Sequence, residues 1–232
     1  MNSTVRKRLI LTVAWGITVP ALAFSLAWAA GQALKRPAPH PVAALTEANA
    51  DILRVARAIP DGGGFCPLSD SGVAEQIDFN GQRILRQSKT ATFYCSGFTF
   101  AVAMQVARDR RHLDGKSLSE VRLFQRQWYG SKDSAPQTKQ LVTALQTLQI
   151  GWEIPPLQAK PGDFIVFWRD DRTGHSAVFL SWVYERDVIV GFRYRSAQPA
   201  THGVGDRTEY FTSSGFLEGR VIPRSFFVGR MS

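Results

Sequence analysis

Residues 163–198 read DFIVFWRDDRTGHSAVFLSWVYERDVIVGFRYRSAQ. Three β-branched and aromatic runs, FIVFW, SAVFLSWVY and VIVGFRYRS, are set apart by short charged stretches, the texture of consecutive strands joined by turns. A fourth run, SFFVGR, closes the chain. Together they predict an antiparallel sheet. A two-residue turn at Arg186-Asp187 would pair Glu185 with Val188. Counting back along both strands then sets His175 opposite Gln198. A turn shifted to Glu185-Arg186 would bring Ser196 there instead. Either residue shares a face with the histidine, because strand side chains alternate with period two.

Upstream the texture is helical. Thr46 precedes Ile52, Val55, Ala56 and Ile59 at helical spacing, and the run Gly62-Gly63-Gly64 follows, which predicts a helix over 47–59. Asn80-Gly81 sits between β-type residues as a hairpin signal. Ser117 with Glu120, and Ser134 with Gln137, both fit the capping box at the start of a helix. Helices first and strands after indicate an α+β fold, with helices packed on one antiparallel sheet.

The first 40 residues contain no Asp or Glu, and Arg6, Lys7, Arg8, Lys35 and Arg36 supply five of the nine net positive charges. The remaining charge is dispersed without a basic, aromatic-interleaved stripe, which excludes a nucleic-acid footprint. Residues 9–30, LILTVAWGITVPALAFSLAWAA, carry no charge and are long enough for a ~20-residue membrane helix. With the basic head before them and Ala27-Trp28-Ala29 near their end, they read as a signal peptide or an anchor that directs the body outward. The expected organisation is 1–34 as signal or anchor and 35–45, KRPAPHPVAAL, as a Pro-rich linker. Residues 46–90 then form a helix and hairpin extension, and 91–232 the main domain.

Two residues carry the candidate chemistry. Cys95, in TATFYCSGFTFAVAMQVARDR, stands where a polar turn meets a helix, and the positive end of the helix dipole favours a thiolate. After a polar loop Gly174-His175 open a strand, and His175 could act as its base, with a polar third group to fix the imidazole. The candidates for that group are Gln198, Ser196 and His202. Gln198 is preferred, because its amide oxygen can reach the Nδ1 proton where a short serine would struggle to. His40, His112, His175 and His202 have no zinc-ligand spacing, so neither a metal nor a cofactor is expected.

Cys95-Ser96-Gly97 followed by an aromatic, Pro161-Gly162-Asp163 before an apolar strand, and Gly174-His175 before another resemble the NlpC/P60 and CHAP-type cysteine peptidases and amidases. The likeness spans roughly 91–200, with Tyr94 where that family usually has Asp. It implies a papain-like fold and a Cys95, His175, Gln198 triad that cleaves peptide or amide bonds in peptidoglycan. The alternatives are an acyltransferase on the same fold, or an exported binding module in which Cys66 and Cys95 form a disulfide.

Overall fold

The computed structural model describes residues 34–35, 45–130 and 137–232. The run 9–30, most of the 35–45 linker and the Ser134 cap lie outside the described residues. No helix among the described residues is long and apolar enough to cross a membrane.

The order of elements is β1 (Leu34–Lys35), α1 (Glu47–Ala58), β2 (Gly62–Gly63), β3 (Ile77–Phe79), β4 (Gln82–Leu85), α2 (Cys95–Asp109), α3 (Leu118–Trp128) and α4 (Gln140–Thr147). The strands β5 (Gly151–Ile154), β6 (Phe164–Arg169), β7 (Gly174–Glu185), β8 (Val188–Gln198), β9 (Gly203–Phe211) and β10 (Gly219–Met231) follow. The protein is therefore α+β, with helices in the first part and a large sheet in the second. The Thr46 hydroxyl accepts from the Asn49 N–H at 3.1 Å and starts α1, whose Ala48, Ile52 and Ala56 are buried. Ser117 and Glu120 cap each other at the start of α3. Asn80 and Gly81 both adopt positive φ, 48° and 74°, as a two-residue hairpin turn requires.

The sheet runs β1-β8-β7-β6-β10-β9-β2, and β9 also pairs with β8. The sheet therefore curls until β9 touches both β8 and β10. Its pairings are antiparallel except that of β9 with β10, which is parallel and short. The strand β9 has a glycine-rich, charged sequence with no apolar run to announce it, and its pairing with β8 from Gly191 to Gln198 supplies what propensity does not.

Curling gives the central strands two buried faces. Phe164, Val166 and Val178 pack toward Phe98, Phe124 and Trp128 of the helices, while Ile165, Phe167, Phe179, Phe192 and Phe226 fill the inside of the curl. That is why FIVFW is a continuous apolar run rather than an alternating one. The segment 46–90 belongs to the same body, because Ala48, Ile52, Val73, Ile77 and Phe79 join the helix-side core.

Register at the functional end follows from the β7–β8 hairpin. Arg186 and Asp187 hold φ of 48° and 65°, and Glu185 pairs with Val188. Two irregularities, between Val183 and Tyr184 and between Phe179 and Ser181, offset each other, so Val178 meets Arg195 on the original count. Three residues beyond that pair stand His175 and Gln198.

The turn before β6 is held by a buried ion pair. Asp163 is fully buried and accepts from Arg230 Nε at 2.8 Å and Nη2 at 2.7 Å. Asn49 Nδ2 donates to the same carboxylate at 2.9 Å, and the Lys160 N–H at 2.7 Å. Gly162, at φ +91°, leaves room for the Asn49 carbonyl, which a Cβ there would meet at 2.4 Å. Removing one member of such a pair strands a buried charge. Asp163→Ala should therefore cost about 3–5 kcal/mol in equilibrium urea unfolding. Asp114→Ala, which breaks an exposed pair with Arg111, should stay within about 1 kcal/mol.

Candidate active site

The helix α2 begins at Cys95 itself. Its N-cap, Tyr94, has extended backbone and makes no side-chain capping bond, so no side chain closes the first-turn N–H groups around the thiol. The loop carrying Gly72 packs directly on this turn. The Tyr94 N–H donates to the Gly72 carbonyl at 3.3 Å, and a Cβ on Gly97 would lie 1.6 Å from that oxygen. Gly97 is thus required by close approach, and the glycine in Cys95-Ser96-Gly97 is a packing residue.

The helix start meets the beginning of β7. Ser96 Oγ lies 3.2 Å from Ser176 Oγ, joining residues 80 apart in sequence. Burial opposes ionisation of the Cys95 thiol, but the His175 charge, a hydrogen bond to His175, and the Ser176 N–H and hydroxyl outweigh it and bring the pKa down to about 6. Both cysteines are free thiols, and Cys66 is buried away with its Sγ 3.5 Å from the Pro67 carbonyl.

His175 is buried, its ring edge-on to Phe167 and to Tyr194 at 5.4 Å each. Its Nε2 is 3.3 Å from Gln198 Oε1. The sequence reading gave this bond to Nδ1, and the structure gives it to Nε2, the atom at the far end of the ring that reaches across the strand ladder. Nδ1, close to the backbone, is left for the thiol. Gln198 is itself oriented, because its Nε2 donates to Thr201 Oγ1 at 2.8 Å and to the Gly205 carbonyl at 3.4 Å. Those two acceptors fix which end of the amide faces the imidazole.

The other two candidates for the third group are placed elsewhere. Ser196 Oγ donates to the Ser176 carbonyl at 2.7 Å, which ties the strands together. His202 takes left-handed backbone, φ 50°, in the turn after β8 with its side chain exposed.

Several residues at the site carry no sequence signal. Ser176 is one polar position inside an apolar strand, and Thr201 is an ordinary turn threonine. Glu209 lies on the unannounced β9. It receives the Tyr194 hydroxyl at 2.7 Å and Arg169 Nε at 2.8 Å. Burial would raise its pKa, but Arg169, Tyr194 and the His175 charge hold it below the usual carboxylate value.

Beside the thiol lies an open cleft of about 270 Å³, walled by Leu68, Tyr94, Tyr129, Gln140 and Trp168. Among the described residues no group of three or more His, Cys, Asp or Glu side chains is placed to hold a metal ion. The arrangement is a polarised thiol, an adjacent imidazole and an amide that orients it, opening onto a cleft, which is the equipment of nucleophilic acyl chemistry. Comparison with protein-family models, curated proteins and solved structures finds no match to this chain.

The ionisation state of Cys95 is directly measurable. Its alkylation by iodoacetamide should rise through a midpoint near pH 6, since the thiolate is present above its pKa. In His175→Ala the midpoint should move up to the ordinary thiol range of about 8.5 or beyond. Buried Cys66 should react more slowly than Cys95 throughout, as read by mass spectrometry of the labelled peptides.

Proposed function

We propose that this chain is an exported cysteine hydrolase of papain-like, NlpC/P60 type, acting on peptide or amide bonds of cell-wall peptidoglycan. The observation that carries the reading is the convergence of Cys95 at a helix start, His175 at a strand start and Gln198 on the adjacent strand, with the thiol drawn toward its ionised form. Export rests on the uncharged run 9–30 behind a basic head, and the wall on the kind of amide polymer that an exported hydrolase meets.

The Cys95 thiolate attacks the carbonyl carbon of the scissile amide, and the carbonyl electrons move to oxygen. The first-turn N–H groups of α2, left open by Tyr94, can hold that oxyanion. His175, holding the thiol's proton, passes it to the departing nitrogen as the C–N bond breaks, which leaves a thioester on Cys95. Water then attacks, His175 takes its proton, and the acid leaves as the thiol re-forms. Gln198, fixed by Thr201, keeps Nδ1 turned to sulfur through both halves.

Two outcomes are expected. Cys95→Ala and His175→Ala should abolish release of peptide fragments from purified peptidoglycan, a loss on the order of 10²–10⁴ or more for the base, while Gln198→Ala keeps a measurable remainder. Equal digestion by wild type and Cys95→Ala would overturn the assignment, as would no digestion of any wall type or synthetic amide. Separately, a reporter that works only outside the cytoplasm should be active when fused to the C-terminus. Activity of a cytoplasm-only reporter there would reverse the topology.

A further inference from the structure

The hydrogen bonding of β7 changes character where the strand reaches the thiol. Its pairing with β8 ends at Val178 and Arg195, and Ser176 lies past that end. In an antiparallel ladder a residue offers its N–H and its C=O to the same neighbour. The Ser176 carbonyl is taken from the β8 side by a side chain, the Ser196 hydroxyl at 2.7 Å. Its N–H, on the same side, goes to the Cys95 sulfur, and its own hydroxyl reaches that sulfur as well. A backbone donor that would otherwise extend the ladder is thus turned to the thiol.

The neighbours of Ser176 hold it in this arrangement. Its side chain is fully enclosed and faces the start of α2, where Ser96 Oγ stands 3.2 Å from Ser176 Oγ and 3.9 Å from Cys95 Sγ. Each hydroxyl has one proton. When that of Ser176 is donated to sulfur, that of Ser96 can be donated to Ser176 Oγ, and the two bonds polarise each other. Ser196 is fully buried and its backbone pairs with Gly205 of β9, so its hydroxyl is a fixed spacer between β8 and β7. The other titratable groups facing the sulfur are the His175 imidazole from β7 and the phenols of Tyr94, before α2, and Tyr129, after α3. Burial pushes both phenols up, so they stay neutral.

Resting on the hydrolase reading, we infer that Ser176 is a catalytic residue that holds the Cys95 sulfur independently of His175, and that Ser196 is the positioning residue that keeps Ser176 turned to it. The two holds differ in kind. His175 favours the thiolate by its charge, which it gives up when its proton passes to the departing nitrogen. The Ser176 donors carry no such charge and stay in place throughout. When water has added to the thioester and the tetrahedral intermediate collapses, the C–S bond breaks and its electron pair returns to sulfur. The Ser176 N–H and hydroxyl meet that charge at the atom where it forms, without a proton having to move.

The test is the pH dependence of Cys95 alkylation by iodoacetamide in the full-length chain in detergent, read by mass spectrometry of the labelled peptides. Ser176→Ala, which removes the hydroxyl, should raise the midpoint by about one to two pH units, the worth of one hydrogen bond to a charged group. Ser176→Thr, which keeps the hydroxyl, should recover most of that shift. Ser196→Ala should move the midpoint the same way and by less. In a His175→Ala background, Ser176→Ala should raise the midpoint by about as much again as it does in the wild-type chain, because independent contributions add. Cys66 should stay slower than Cys95 in every variant, which separates these shifts from loss of the fold. A double variant whose midpoint equals that of His175→Ala alone, a Ser176→Ala midpoint still near pH 6, or a Ser196→Ala midpoint that does not move would overturn this inference and leave the hydrolase standing. A wild-type midpoint in the ordinary thiol range of about 8.5, indifferent to His175→Ala, would sink the hydrolase reading itself.

Discussion

The carboxylate of Asp163 is where the architecture is tied together. One buried group receives Arg230 from the last strand, Asn49 from the first helix and the backbone of its own turn. The turn it closes launches β6, and β6 sets the register of β7 by pairing Phe167 with His175. A charge sealed from water is tolerated because every donor around it is used, and such satisfaction is specific: few other packings of these three segments would neutralise it. The position of the imidazole thus depends on an ion pair at the other end of the strand that precedes it.

A second tie works from the opposite edge. Arg195, almost wholly buried on β8, donates to the carbonyls of Ala56 and Ile59 at the end of α1 and pairs with Asp206 on β9. It satisfies orphan carbonyls that a helix C-terminus leaves open, and it presses α1 against the strand that ends in Gln198. Arg195 and Arg230 therefore hold the two strands that flank the β6–β7 pair, one to the helix end and one to the turn.

Much of this was legible in the sequence because it is local. The Thr46 cap, the Ser117 and Glu120 box, and the Asn80-Gly81 and Arg186-Asp187 turns are each written in neighbouring residues. Counting from the second turn placed Gln198 beside His175 only because two strand irregularities offset each other, which no local pattern announces. What stayed hidden is non-local. The β9 strand lacks propensity and exists by pairing, and Gln140 enters the cleft from a separate helix. Gly97 matters through a loop more than twenty residues away. The nitrogen that meets Gln198 was misread because the choice between Nδ1 and Nε2 depends on ring direction, which periodicity does not encode.

The distance along the chain between the thiol and its partners has a bearing on when the Cys95 pKa falls. Ser96 and Ser176 touch across 80 residues, and the groups that draw the Cys95 proton away all come from the far side of that gap. While the chain is being made, the helix start exists without the strand, and its cysteine is a thiol among others. Loop closure over such a span comes late in folding, after local helices and hairpins have formed. The lowered pKa of Cys95 therefore arrives together with the finished tertiary structure, because His175 and Ser176 reach the sulfur only once the strand is in place.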